Sequence, residues 1–179
     1  SKDELLEACR MAVKAAEEAV TQEGRDNPVN RGLGCTLTFM LFDIDRAHYA
    51  IGHIGDSRAY RVEGDSLSQL TRDHTLAQES VDEGRLPPDA VRHHPFGHIL
   101  TRVVGMEGAV EADYVTGVVR DADRFFLCTD GVIRVLDEPV IADILDKSAS
   151  LEAGSQRIVE EANDRGGPDN STVVVLSVG

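Results

Sequence analysis

Three aspartates sit in short turn-like motifs beside apolar runs: Gly55-Asp56-Ser57-Arg58, Thr129-Asp130-Gly131 and Pro168-Asp169-Asn170. The runs cover residues 48–54, 124–128 and 171–178. An aspartate at a strand end stands at the rim of a sheet, where its carboxylate can meet others. Three carboxylates gathered at one rim repel each other unless a cation lies between them. A hard, oxygen-preferring divalent ion such as Mg2+ or Mn2+ is the natural partner. Asp56, Asp130 and Asp169 are therefore candidate metal ligands. Taken singly, each has a plainer reading. Asp130-Gly131 is a common turn pair, Asp169-Asn170 suits a strand entry, and Asp56 fits a hairpin turn in which it pairs with Arg58.

The elements that must position these residues can be read from periodicity. Leu6, Cys9, Val13, Ala16 and Val20 recur at steps of three and four, one face of an amphipathic helix. Residues 21–31 are polar, with Gly24, Asn27 and Pro28, and read as a loop. Residues 35–44 are apolar on both faces, the pattern of a central strand covered twice. Residues 47–54 return as a second strand, and 59–62 with 66–70 form a hairpin about Glu63-Gly64-Asp65. From 73 to 98 there is no strand signal: 75–83 predicts a short helix ended by Gly84, and Pro87-Pro88 opens another. Strands resume at 99–104, 110–119 and 124–128. Helices follow at 139–147 and 150–165, the latter capped by Ser150 and stopped by Gly166, and 171–178 is the last strand. Strand runs broken by a few long helices, without βαβ alternation, predict an α+β fold. Two stacked, mainly antiparallel sheets with helices outside would satisfy it.

Bulk properties narrow the function. A length of 179 residues fits one domain, 1–179, and 41% hydrophobic residues suffice for a packed core. No apolar run approaches the roughly 20 residues of a membrane span, and the charged, helical opening is unlike a signal peptide. A net charge of −14 argues against nucleic acid as a partner, because a phosphate backbone would be repelled. It leaves room for a phosphorylated substrate, since bound divalent cations reverse the field in one cleft. Cys9, Cys35 and Cys128 are odd in number and lack metal-ligand spacing, so they read as buried free thiols in a reducing cytoplasm. His93, His94 and His98 flank Pro95 and Gly97 in a loop that does not fix ligand geometry, and they read as solvated or locally packed. Arg102 is read as holding an acidic neighbour, His74 as ordering the entry to 73–98, and Asp43, Asp45, Asp121 and Asp123 as solvated turn residues.

In combination the motifs say more. Gly34-Cys35-Thr36-Leu37-Thr38, His53-Ile54-Gly55-Asp56-Ser57-Arg58-Ala59-Tyr60 and Leu70-Thr71-Arg72-Asp73-His74 come first. Leu100-Thr101-Arg102-Val103-Val104-Gly105, Phe126-Leu127-Cys128-Thr129-Asp130-Gly131 and Asp169-Asn170-Ser171-Thr172-Val173-Val174-Val175 follow. In this order they resemble the type 2C family of metal-dependent Ser/Thr protein phosphatases, its bacterial branch most of all. The resemblance implies a β-sandwich flanked by helix pairs with Mn2+ or Mg2+ ions at one end. It makes Asp130 and Asp169 core metal ligands, and Asp56 a partner of Asp130 in holding a third, weaker ion. It also makes 73–98 a flap-like helical insertion beside the site. The implied reaction is hydrolysis of phosphoserine or phosphothreonine on a protein substrate by a metal-activated water, with no protein nucleophile.

One departure bears on activity. The family opens with an Arg, a Glu-Asp motif and a strand ending in Asp-Gly-x-Gly-Gly, whose Asp bridges the two core metals. Nothing in residues 1–34 matches, so the fold is expected to be N-terminally incomplete. We expect an upstream segment to supply that motif. Without it the resemblance implies weak metal binding, little turnover, and self-association through the surface left by missing strands. A phosphatase-like binding or regulatory module is then the alternative.

Overall fold

The computed structural model describes residues 2–106 and 110–179. In chain order its elements are α1 (Lys2–Asp26), β1 (Leu37–Asp43), β2 (His48–Ile54), β3 (Arg58–Glu63), β4 (Ser66–Gln69), α2 (Leu76–Asp82), β5 (Asp113–Val118), β6 (Arg124–Cys128), α3 (Asp130–Ile133), α4 (Glu138–Lys147), α5 (Leu151–Asp164) and β7 (Val173–Ser177). Short 3-10 turns occur at Pro28–Asn30 and Pro88–His93. Two antiparallel sheets with flanking helices give an α+β fold. The chain divides into two compact units.

The first unit comprises Ser1–Asp56 and Asp73–Val119. Its sheet has the order β1-β2-β5, with Thr38 opposite His53 and His53 opposite Asp113. The apolar stripe of α1 buries Cys9 and Val13, and Val13 packs with Ile54 and Val104 while Ala16, Val20, Leu37 and Phe39 close around them. Among the described residues β2, not β1, is central. Six of its seven residues are buried, whereas β1 is half-buried throughout, so two apolar faces did not mark the middle strand.

Residues 73–98 form a helical excursion whose two ends run side by side. Thr75 bridges Leu100, the Leu76 amide donates to the Ile99 carbonyl, and Thr101 donates to that of His74. Thr75 also caps α2, its hydroxyl accepting from the Gln78 amide. The strand expected at 99–104 does not form. Leu100 bridges Thr75 and Val104 bridges Cys35, so the segment's pairing is split between two partners and builds no ladder. Cys35, expected inside a strand and buried, precedes β1 and is exposed; Cys9 and Cys128 are buried, and all three are free thiols.

The second unit comprises Ser57–Arg72 and Arg120–Gly179, and its sheet has the order β4-β3-β6-β7. Tyr60 lies opposite Phe126, both fully buried, with ring centroids 5.9 Å apart. The inner faces of α4 and α5 cover this pair with Ile141, Ile144, Leu145, Ile158 and Ala162. Ser150 caps α5 by accepting from the Ala153 amide, and Gly166 at φ +113° follows its end. Two turn aspartates expected to be solvated are ion-paired instead. Asp43 meets Arg46 at 3.0 Å, and Asp123 meets Arg61 at 3.4 Å with only 15% of its side chain exposed.

Candidate metal centre

Strand β6 buries Phe125, Phe126 and Cys128, which fixes where Thr129 leaves the sheet. Thr129 then fastens a second segment to this point. Its amide donates to the Thr172 carbonyl (3.1 Å), its hydroxyl donates to the Asn170 carbonyl (3.2 Å), and the same hydroxyl accepts from the Thr172 amide (3.0 Å). The turn before β7 is thereby tied to the turn after β6. The backbones approach so closely that a Cβ on Gly131 would lie 2.4 Å from the Asn170 oxygen and 3.2 Å from that of Asp169. Only glycine fits there.

This lacing brings two of the three candidate aspartates to one place. Asp130 is the first residue of α3, and Arg134 lies one turn later with its amide bonded to the Asp130 carbonyl. The Arg134 guanidinium reaches back to both acids: Nη2 is 2.6 Å from Asp130 Oδ2, and Nη1 is 3.8 Å from Asp169 Oδ2. Asp169 is further held by its own turn, its Oδ1 accepting from the Asn170 amide at 2.8 Å. Two carboxylates facing one cationic group offer hard oxygens of the kind that Mn2+ or Mg2+ takes, and the cation they face here is the Arg134 guanidinium. Among the described residues no group of three or more His, Cys, Asp or Glu side chains is arranged to hold a metal ion.

Asp56 belongs to the first unit, where it follows the end of β2 and is 8% exposed. The turn that carries it is held from both sides by His74. The His74 amide donates to the Gly55 carbonyl (2.8 Å), and the Gly55 amide donates to His74 Nδ1 (3.1 Å). Gly55 adopts φ +108°, with Thr36 pressed against the place a side chain would fill. Because Nδ1 accepts, the ring proton is assigned to Nε2, which faces Asp113 Oδ2 at 3.3 Å. Arg102 completes the group, its Nη1 donating to Asp113 Oδ1 (3.0 Å) and to the Glu111 carbonyl (3.1 Å). Burial pushes the Asp113 carboxyl up, but its contacts with His74 and then Arg102 outweigh this and hold it below the usual carboxylate range. His53 stacks at a tilt on His74, centroids 4.8 Å apart, and its Nδ1 bonds the Thr38 hydroxyl at 2.9 Å. His53 and Asp113 were not singled out from sequence. Their only signal is that both lie opposite each other in the β2–β5 register, which sequence alone does not supply.

Arg58 bonds the Tyr60 hydroxyl (3.1 Å) and lies 3.8 Å from Glu138. Of the loop histidines, His94 packs on Phe96 and accepts from its amide, while the His93 side chain lies outside the described residues.

The sequence profile described as Protein phosphatase 2C matches residues 1–163. This chain belongs to that family. Its relatives in the phosphatase 2C family include the serine/threonine protein phosphatase PstP of Mycobacterium tuberculosis, 36% identical over 98% of this chain. The protein phosphatase PhpP of Streptococcus pneumoniae is 33% identical over 90% of it. The chain spans 33% of the PstP length and 64% of the PhpP length. Among solved structures, the PstP catalytic domain in complex with two manganese ions superimposes with a TM-score of 0.84. It is 32% identical, covering 98% of this chain and 72% of that one.

Proposed function

We propose that this protein is a metal-dependent phosphatase of phosphoserine and phosphothreonine on proteins. The observation that carries the reading is the meeting of Asp130 and Asp169 on one cation, in a chain of the phosphatase 2C family. Asp130 and Asp169 would hold Mn2+ or Mg2+, and Asp56 would contribute to a further ion. Such ions, when bound, activate water at neutral pH and neutralise charge on a phosphoryl group. The chain's own residues do the positioning. Thr129 and Gly131 hold the two acid turns against each other. His74 holds the Asp56 turn in the first unit and orders both ends of 73–98, which we read as a flap. The manganese-bound PstP domain supports the choice of metal.

The partner is a phosphorylated protein, with nucleic acid disfavoured by the net charge of −14. None of the described helices is long and apolar enough to cross a membrane, and three free thiols suit a reducing cytoplasm. Self-association would use the outer edges of β1 and β7.

A second reading, a phosphatase-like binding module, is favoured by the occupation of both carboxylates by Arg134. One experiment separates the two. The protein is assayed with a phosphothreonine peptide across a Mn2+ titration, beside Asp130→Ala. Mn2+-stimulated hydrolysis that disappears in the variant, with its circular dichroism unchanged, supports the phosphatase. Equal turnover in both removes Asp130 from the mechanism, and no turnover with no Mn2+ binding below millimolar favours the binding module.

A further inference from the structure

Arg134 is the residue at this centre that the phosphatase reading does not use. Its guanidinium places a different nitrogen on each acid, 2.6 Å from Asp130 Oδ2 and 3.8 Å from Asp169 Oδ2. Its position is not incidental to side-chain wandering. The Arg134 amide is bonded to the Asp130 carbonyl, which fixes the root of the side chain one helical turn from the acid it contacts.

The same oxygens are the ones a divalent ion would take. Mg2+ demands oxygen at about 2.0–2.1 Å in near-octahedral order. A guanidinium already within hydrogen-bond distance of Asp130 Oδ2 blocks that approach. Two acids and one arginine also leave the group with a single net negative charge, where the acids alone would present two. A divalent ion arriving beside the guanidinium meets less attraction and an added repulsion. The Arg134 side chain is 39% exposed, so it has solvent to swing into when an ion displaces it.

We propose that Arg134 is a built-in counter-ion that competes with the divalent cation for Asp130 and Asp169. It offsets part of the charge of the two acids when the ion is absent, and it sets how much free metal is needed to fill the centre. The proposal rests on the assignment of Asp130 and Asp169 as metal ligands. It makes Arg134 a determinant of metal affinity that acts by occupancy and charge. A lysine at 134 would keep the charge but lose the fork that spans both acids.

The test is isothermal titration calorimetry of the protein with Mn2+ alone, on wild type, Arg134→Gln, Arg134→Lys and Asp130→Asn, each checked for fold by circular dichroism. Arg134→Gln is expected to bind Mn2+ about fivefold to tenfold more tightly, which is about 1–1.4 kcal/mol at roughly 1.4 kcal/mol per decade. Arg134→Lys is expected between the two. The gap between Gln and wild type should narrow as ionic strength rises, because it comes from a screened ion pair. Equal or weaker Mn2+ binding by a folded Arg134→Gln overturns the competition while leaving the metal centre in place. Binding that survives Asp130→Asn unchanged, or no Mn2+ binding by any of the proteins, overturns the metal centre and this inference with it.

Discussion

His74→Ala should be among the most damaging single substitutions in the first unit. The ring is 2% exposed and uses both nitrogens, one for the Gly55 amide and one for Asp113. Truncation leaves the Gly55 amide without its acceptor in a buried place, which costs about 1–3 kcal/mol. It also removes the ring from its stack on His53 and opens a void, for roughly 1–2 kcal/mol more. Asp113 keeps Arg102 and is partly exposed, so its loss adds little. We expect about 3 kcal/mol in total, since coupled losses at one residue do not sum fully. His74→Asn is the informative companion. Its side-chain oxygen can stand near the place of Nδ1 and accept from Gly55, so it should recover about half of that loss. Urea denaturation followed by circular dichroism, with unchanged slope, measures both. A His74→Ala protein within about 0.5 kcal/mol of wild type, or an Asn variant no better than Ala, refutes the claim that the Gly55 bond is what His74 chiefly provides.

Two further outcomes follow from the same geometry. Asp113 has a folded-state pKa below its unfolded value of about 3.9. Its contribution is therefore present above that unfolded value and is lost as pH falls through the lower folded one. Asp113→Asn should be less stable than wild type at pH 7 yet show a flatter acid limb, read from urea midpoints between pH 7 and pH 2.5; parallel curves would contradict this. Gly131→Ala drives a Cβ into the Asn170 carbonyl, a backbone atom that cannot rotate away. The variant should lose about 1–3 kcal/mol by thermal melting and bind Mn2+ more weakly, because the turn bearing Asp169 must retreat from Asp130. Unchanged Mn2+ affinity would show that the two turns need not touch.

Local chemistry made much of this fold readable in the chain. The stripe Leu6, Cys9, Val13, Ala16 and Val20 predicts α1 because a helix buries one face, and Cys9 and Val13 are the residues it buries. Ser150 announces α5 because its hydroxyl can accept from an otherwise orphan first-turn amide, here that of Ala153. Asp130 and Asp169 could be nominated as candidates because each lies near a strand rich in buried or half-buried apolar residues. What stayed hidden depends on register and long-range partnering. The two-sided apolar pattern of β1 could not say which neighbours it would have, and β2 took the centre. Residues 99–104 carry strand composition but divide their pairing between Thr75 and Cys35. Asp113 and His53 matter only because β5 and β2 align them. Arg134 stayed hidden for a similar reason: residues 129–131 read as a turn, and only the short helix α3 sets Arg134 one turn from Asp130.

The three acid turns are each placed in part by neutral hydrogen bonds to the backbone. Gly55 is gripped by His74 through an amide and a carbonyl, and the Asp130 and Asp169 turns are laced by Thr129 through the carbonyl of Asn170 and both backbone groups of Thr172. None of these bonds uses a carboxylate oxygen of Asp56, Asp130 or Asp169. If Asp130 and Asp169 were placed only by a shared cation, losing it would let them fly apart, and refilling the centre would require the loops to be ordered again. With the Asp130 and Asp169 turns laced by the backbone, the proposed cation would be exchangeable, and Arg134 would hold the charge until a divalent ion took it. The structural cost of exchange is then a single side-chain swing at Arg134, which is why changing that residue should shift metal affinity without shifting the fold.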